Sequence, residues 1–458
     1  MTSPSKPEHL FTLDPRRTYP VLDRGEGVHV WDTQGRRYLD AIAGIAVVNV
    51  GYGRREVADA LREQALRLPF AVSNTFINNP ARNLAAAIAA LTPGDLDYII
   101  FTSGGSEAVE VALKLARQYH VEMGDPKRDV IISRYTSYHG ASLGALSATG
   151  SSGRRRKFEP LLLGFPHIPP NYCYRCPLGL TYPTCKVACA QELEKAVLKV
   201  GPERVAAFIA EPIVASAGGA IPPQKEYFPQ IRQICDRYGI LLIVDEVVTG
   251  FGRTGELFGI NNWGVIPDLM VMGKGVSGGY APLGAVAMRQ HVREAFVRTG
   301  ASFDHIFTFA ANPLAMAVGS TVLGIFQREQ LLQNVRNLAS RFREALERLG
   351  RYPFVGDVRC TGYMGGIEFV QDKASRQPWP AAKGVAALVQ RIGLQNGIVT
   401  YPGTGMADGT NGDVISLYPP LTFSEEHLEE MSGLLEATFD QVAEHLRRDL
   451  AVGNPARA

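Results

Sequence analysis

From Leu96 onward the chain alternates short apolar runs with segments of helical period. The runs Tyr98–Thr102, Val130–Ser133, Ala206–Ala210, Ile240–Val244, Leu269–Met272 and Ala285–Met288 are bounded by turn residues and predict strands buried on both faces. Between the first two, Ala108, Val111, Ala112, Leu115 and Tyr119 recur at helical spacing, so Ser106–His120 is expected to be a helix. Strand and helix alternating in this way predict an α/β fold with a mainly parallel sheet. Earlier in the chain, Val28–Asp32 and Arg37–Leu39 flank a polar turn and predict a hairpin. The last third changes character, with a helix over Arg328–Leu349 and a strand over Tyr363–Val370. Ser424 is placed to cap a final helix, whose Leu428, Met431, Leu435, Phe439, Val442 and Leu446 form one buried stripe.

The chain's 458 residues allow two or three domains. Residues 1–60 are expected to join the small domain, 61–325 to form the large domain, and 326–458 to form a C-terminal small α+β domain. The break falls within Pro313–Val335, and the end, 451–458, is expected to fray. An apolar fraction of 46% with 20% charged residues is ordinary globular composition and excludes a disordered chain. A net charge of +2 argues against a nucleic-acid partner. No apolar run reaches the length of a membrane span and the first residues carry no signal-peptide pattern, so a cytoplasmic protein is expected.

Two strand ends carry chemistry. The run Ile240–Val244 ends in Asp245, and Leu269–Met272 is followed by Lys274 set among Gly273, Gly275, Gly278 and Gly279. Open α/β sheets gather functional groups at the carboxyl ends of their strands. A lysine in a partly desolvated site has a lowered pKa and serves as an amine nucleophile. An Asp and a Lys facing one crevice are what pyridoxal phosphate (PLP) requires: the amine links to the cofactor, and the carboxylate holds the pyridine nitrogen protonated. Phe101-Thr-Ser-Gly-Gly-Ser106 between strand and helix offers backbone amides to a phosphate, although it also reads as an ordinary capped turn. Tyr138 follows another strand, where an aromatic side chain can stack on the ring.

These segments, in order, are Ser103-Gly-Gly-Ser-Glu-Ala108, Tyr138-His-Gly140, Ala210-Glu-Pro212, Val244-Asp-Glu-Val-Val-Thr-Gly-Phe-Gly-Arg-Thr-Gly255, Gly273-Lys-Gly275 and His305-Ile-Phe-Thr-Phe-Ala-Ala-Asn-Pro313. Together they resemble the class III PLP-dependent aminotransferases across roughly residues 20–450. Gly44–Gly53 is similar to the matching stretch of ω- and amine transaminases. The resemblance implies PLP fold type I, and it implies a homodimer or dimer of dimers with sites at the interface. It makes Lys274 the lysine that bonds the cofactor and shuttles a proton, and Asp245 the partner of the ring nitrogen. Val247 and Tyr138 would pack on the two ring faces, with His139 beside them. Gly105 and Ser106 would bind phosphate, and Thr308 would reach the phosphate of the neighbouring subunit. Glu211 would restrain an arginine or orient Asp245, and Arg253 would be structural.

Two further patterns compete with this reading. Gly250-Phe-Gly-Arg-Thr-Gly255 fits a dinucleotide fingerprint, but the Gly- and Asn-rich segment after it does not open a helix. Cys173-x-x-Cys176 and Cys185-x-x-x-Cys189 have spacings compatible with zinc or an iron–sulfur cluster, with a disulfide, or with four reduced thiols in a proline-stiffened loop. The expectation taken is no metal.

The expected function is a transaminase that moves an amino group from a primary amine or ω-amino acid to a small keto acid such as pyruvate. Racemase, aminomutase or decarboxylase chemistry on the same cofactor is the alternative, as is a γ-aminobutyrate- or ornithine-type aminotransferase; a non-enzymatic metal-binding protein is a more distant one. Many class III enzymes hold a substrate carboxylate with a C-terminal arginine, yet Ile392–Leu446 contains no Arg or Lys. The positions relatives use fall near Ser416 and Tyr401. The basic run Arg154–Lys157 is the replacement expected, with Arg155 as its contact. Ala46, where several relatives carry a large aromatic, and Phe76 complete the expected substrate contacts.

Overall fold

A computed structural model describes residues 9–452 of the chain. Its centre is a seven-stranded sheet with the strand order Tyr98–Thr102, Gly284–Met288, Leu269–Met272, Leu241–Asp245, Val205–Ala210, Val130–Arg134 and His167–Ile168. All neighbours from Leu269–Met272 outward to His167–Ile168 are parallel, while Gly284–Met288 runs antiparallel to both of its neighbours. Two reversals cancel, so the edge strand Tyr98–Thr102 points the same way as the parallel set.

The strands are apolar throughout because both faces are covered. Ile209, Ile243 and Val271 pack with Val111, Ala112 and Leu115 of the helix Gly105–Glu122. Phe208, Leu242 and Met270 pack on the other face with Ile231 of Tyr227–Tyr238 and Leu193 of Ala188–Val200. Each strand therefore alternates between two cores, and no polar stripe is left to mark a solvent face.

The N-terminal segment folds onto the C-terminal part. Strand His29–Asp32 pairs antiparallel with Arg37–Asp40, giving the expected hairpin, and Leu39 pairs in parallel with Ile398. One core cluster joins Val28, Leu39 and Val57 to Val335, Phe342 and Phe439. A second sheet contains Val355–Thr361, Met364–Asp372, Asp413–Leu417 and Tyr401–Thr404. The helix expected over Arg328–Leu349 is present as Leu331–Glu347, and a separate helix, Pro313–Arg328, precedes it. They are separated where Gln330 takes the left-handed conformation (φ +50°). The last helix begins after Ser424, whose hydroxyl accepts from the His427 N–H, and its six expected stripe residues are all buried. It runs to Val452; the remainder of the end expected to fray lies outside the described residues. Buried Arg253 ties the parts together by donating to Asn49 Oδ1 (2.5 Å) and to the carbonyls of Tyr363 and Pro419. Among the described residues, no helix is long and apolar enough to cross a membrane.

Candidate active site

The parallel register brings the carboxyl ends of five strands to one edge of the sheet, around a cavity of about 280 Å³. Strand Leu241–Asp245 delivers Asp245, and Leu269–Met272 leads through Gly273 into Lys274. Tyr98–Thr102 leads into Gly105 and Ser106, Val130–Arg134 into Tyr138 and His139, and Val205–Ala210 into Glu211. All of these residues except Gly273 line the cavity, as does Val247.

Asp245 is held from two sides. His139 Nδ1 lies 2.8 Å from Asp245 Oδ2, and the Val247 N–H donates to Oδ1 at 3.1 Å. A carboxylate can only accept, so the His139 proton sits on Nδ1. The far nitrogen, Nε2, is buried without a protein partner. The Glu211 carboxylate accepts from the Tyr138 and Ala215 N–H groups, at 3.3 and 3.2 Å. Burial pushes its pKa up, as does the nearby Asp245. Glu211 was expected to restrain an arginine or orient Asp245. Arg134 does donate to Glu211, but to its backbone carbonyl (2.6 Å), and the side chain that grips Asp245 is His139.

Lys274 is half-buried, with its backbone in the left-handed region at φ +47°. A non-glycine residue there is strained and sits where surrounding structure insists on it. Desolvation of the ammonium lowers the Lys274 pKa to about 8, against the opposing pull of Asp245 and Glu211.

The helix Gly105–Glu122 opens on the cavity with no side chain capping its first amides. Those N–H groups and the positive end of the helix dipole suit an anion. Gly105 is packed so closely that a Cβ there would stand 3.0 Å from Val247 Cγ1. At Gly140 (φ +142°) a Cβ would meet Ser106 Oγ at 2.7 Å. These glycines keep the cradle open. A cavity with an uncapped helix start, an aromatic ring, a braced Asp and a half-desolvated Lys has the donor set that PLP needs, and the residues present fit that cofactor.

The expected substrate contacts require correction. Arg155 does not line the cavity. Its guanidinium donates to the carbonyls of Ser147 and Thr149, both at 2.8 Å, and pairs with Glu159 at 3.0 Å. The neighbouring Arg154 lines the cavity instead, lying 4.4 Å from the Tyr138 ring centre and donating to Tyr401 Oη at 3.1 Å. Ala46 is buried behind the wall with Ile213, Met364 and Tyr418, and Ile45 takes the lining position. Phe76 is 63% exposed and does not line this cavity; Thr308, expected to serve the neighbouring subunit's phosphate rather than a substrate, is exposed. Their loops meet nonetheless: the Phe70 and Phe309 rings stack edge to face at 6.0 Å, and Asn78 Nδ2 donates to the Ala311 carbonyl.

Sequence reasoning missed Glu246. Its buried carboxylate accepts from Thr249 Oγ1 and from the N–H groups of Gly259 and Ile260, bracing the loop after Asp245. Burial pushes its pKa up to about 7. The Asp-Glu pair was visible as a strand end and the motif singled out Asp245, but nothing in the sequence marked Glu246 as a buried brace. Ser216 also lines the cavity and had no local signal, whereas Tyr401, named from the sequence as a position relatives use, lines it as well.

Comparison with known proteins places this geometry. The family model "Aminotransferase class-III" matches residues 14–439. An uncharacterized aminotransferase of Bacillus subtilis, YhxA, is 41% identical over 92% of both chains. A putrescine–pyruvate aminotransferase of Pseudomonas aeruginosa is 36% identical over 92% of this chain and 91% of its own, and a rice γ-aminobutyrate transaminase is 34% identical over 93% and 82%. Among solved structures, a thermostable (S)-enantioselective omega-transaminase of Thermomicrobium roseum superposes with a TM-score of 0.89 at 39% identity, covering 95% of this chain and 96% of that one. The chain belongs to the class III aminotransferases, enzymes that work with PLP.

Proposed function

We propose that this aminotransferase takes amines without a carboxylate, such as arylalkylamines, as donors, and passes the amino group to pyruvate or a similar small keto acid. The observation that carries this reading is the cavity's supply of cations. Besides Lys274, the cavity lining contains one, Arg154, and its partners are a tyrosine hydroxyl and a tyrosine ring rather than a carboxylate. One uncommitted guanidinium suits the acceptor's carboxylate, bound through two parallel N–H donors. A donor carrying its own carboxylate at the far end of a longer chain would need a second clamp, and Ser416 and Tyr401 cannot supply one.

Gly105 and Ser106 would hold the cofactor phosphate, Tyr138 and Val247 its ring faces, and Asp245, oriented by His139, its pyridine nitrogen. When bound, PLP supplies an electron sink for the substrate carbon. Lys274 Nζ, part neutral near pH 8, is placed to accept a proton from that carbon and return it. Glu211 holds the Tyr138 and Ala215 amides and so shapes the wall beside the ring. In a homodimer, or a dimer of such dimers, the exposed loops bearing Phe76 and Thr308 would complete the partner's site.

Comparing kcat/KM for 1-phenylethylamine, β-alanine, γ-aminobutyrate and ornithine with pyruvate as acceptor tests the substrate claim. We expect 1-phenylethylamine to lead. A clear preference for γ-aminobutyrate or ornithine would overturn the claim and support the γ-aminobutyrate-type alternative.

A further inference from the structure

We infer that Cys173, Cys176, Cys185 and Cys189 form a four-thiolate site for a soft, tetrahedral divalent cation of the zinc type. Spacing alone does not separate metal ligands from idle thiols; the folded loop adds three observations.

First, all four cysteines line one small cavity of about 20 Å³. That is room for one water-sized occupant. The other two cysteines of the chain, Cys235 and Cys360, are buried in separate cores.

Second, the side chains of the wall offer no free oxygen or nitrogen donor. Pro170, Leu178, Leu180 and Ala188 are apolar. The hydroxyl of Tyr172 goes to Glu368, and that of Tyr182 points to Glu226. Among the lining side chains, sulfur is the remaining donor type. A sulfur-only set of four selects zinc over the hard cations that need oxygen.

Third, the loop is built to gather these residues. From Pro169 to Val187 there is neither helix nor strand. The Gly179 N–H donates to the Cys176 carbonyl at 3.0 Å, turning the chain directly after the Cys-x-x-Cys pair. Lys186 and Val187 both take positive φ, +49° and +57°, and reverse the chain so that Cys189, in the first turn of Ala188–Val200, comes back beside Cys185. Two strained non-glycine residues in a row between paired cysteines fit a ligand clamp. Cys173 is exposed and also lines a large neighbouring cleft, which gives an ion a way in.

Among the described residues, no three ligand-type side chains already surround a common point. The four cysteines share one cavity, and holding an ion there requires their side chains to turn further inward. The site's role is to staple a long irregular loop. That loop docks on the C-terminal sheet through Arg175 and Glu368, paired at 2.6 Å.

The test is metal analysis of the full-length, PLP-loaded enzyme purified without chelator under reducing conditions. One zinc per chain is expected. Replacing it with cobalt(II) should give the intense visible absorption of tetrahedral thiolate coordination. Cys173→Ser, at the exposed end, should keep fold and PLP content. It should lower zinc affinity by more than the about 10- to 100-fold that loss of an outer-shell partner costs. Cys189→Ser should release the equivalent altogether. Neither zinc nor cobalt bound, with the four thiols all titrating as free, would overturn the site. So would thiols that appear only after reduction, or iron with inorganic sulfide in place of zinc.

Discussion

His139 Nδ1 and Asp245 Oδ2 stand 2.8 Å apart, with side chains 0% and 4% exposed. The histidine comes from the loop after one parallel strand and the aspartate from the end of another, so the sheet itself fixes the pair. An Asp245→Asn variant keeps the shape and loses the charge. Loss of a charge aimed at a reacting group costs about 10²- to 10³-fold in turnover, and that is the expected fall in kcat. The phosphate cradle and Lys274 remain, so PLP should still bind. Wild-type turnover would reduce Asp245 to a strand-end charge.

Lys274→Ala should remove covalent cofactor and essentially all activity. Borohydride reduction of the wild-type holoenzyme followed by peptide mapping should place the label on Lys274. A label on any other lysine would refute the assignment.

The lowered Lys274 pKa has a pH signature in the protein stripped of PLP. Between about pH 8 and its ordinary value of 10.5, the unfolded chain binds a proton at this lysine that the folded chain does not. Stability therefore rises with pH through that window, and the cost of burying the charge is fully present below it. A Lys274→Met variant lacks this contribution. Its Tm advantage over the wild type should be largest near pH 7 and shrink toward pH 10; a gap that stays constant would argue against the desolvated amine.

Arg154 and Arg155 should separate cleanly. Arg154→Ala should raise the KM for pyruvate while leaving thermal stability near wild type. Arg155→Ala should leave that KM alone and destabilise by about 1–3 kcal/mol, because two buried carbonyls lose a charged donor. A reversal of these outcomes would restore the expectation drawn from the sequence.

The sheet was legible because its strands are buried on both faces: each of the six predicted runs matches a strand to within a residue at either end. Lys274 was legible because a strand end ringed by glycines is a rare setting for charge, and Asp245 because it closes an apolar run at a carboxyl end of the sheet. The substrate wall was not. Arg154 and Arg155 share one short helical turn, Ser152–Arg155, where each step rotates the side chain by about 100°, so a basic run names the segment and not the member. Ile45 and Ala46 are likewise separated by backbone geometry, Ile45 lying at φ +96°. Phe76 and Thr308 could be found in sequence but not joined to a cavity within one chain.

The pairing of the first hairpin with Ile398–Val399 has a consequence for synthesis. Arg36 bonds to the Gln395 carbonyl across 359 residues of chain. At about 5–20 residues per second on the ribosome, roughly 20–70 s separate the emergence of these two partners. Through that interval the sheet bearing Asp245 and Lys274 can form, while Val28 and Leu39 wait without their core. Ile45, which belongs to the same segment, is then among the last parts of the crevice wall to arrive. A nascent chain folding in that order passes through a stage with its cofactor cradle built, one wall missing, and the apolar N-terminal residues still without their partners.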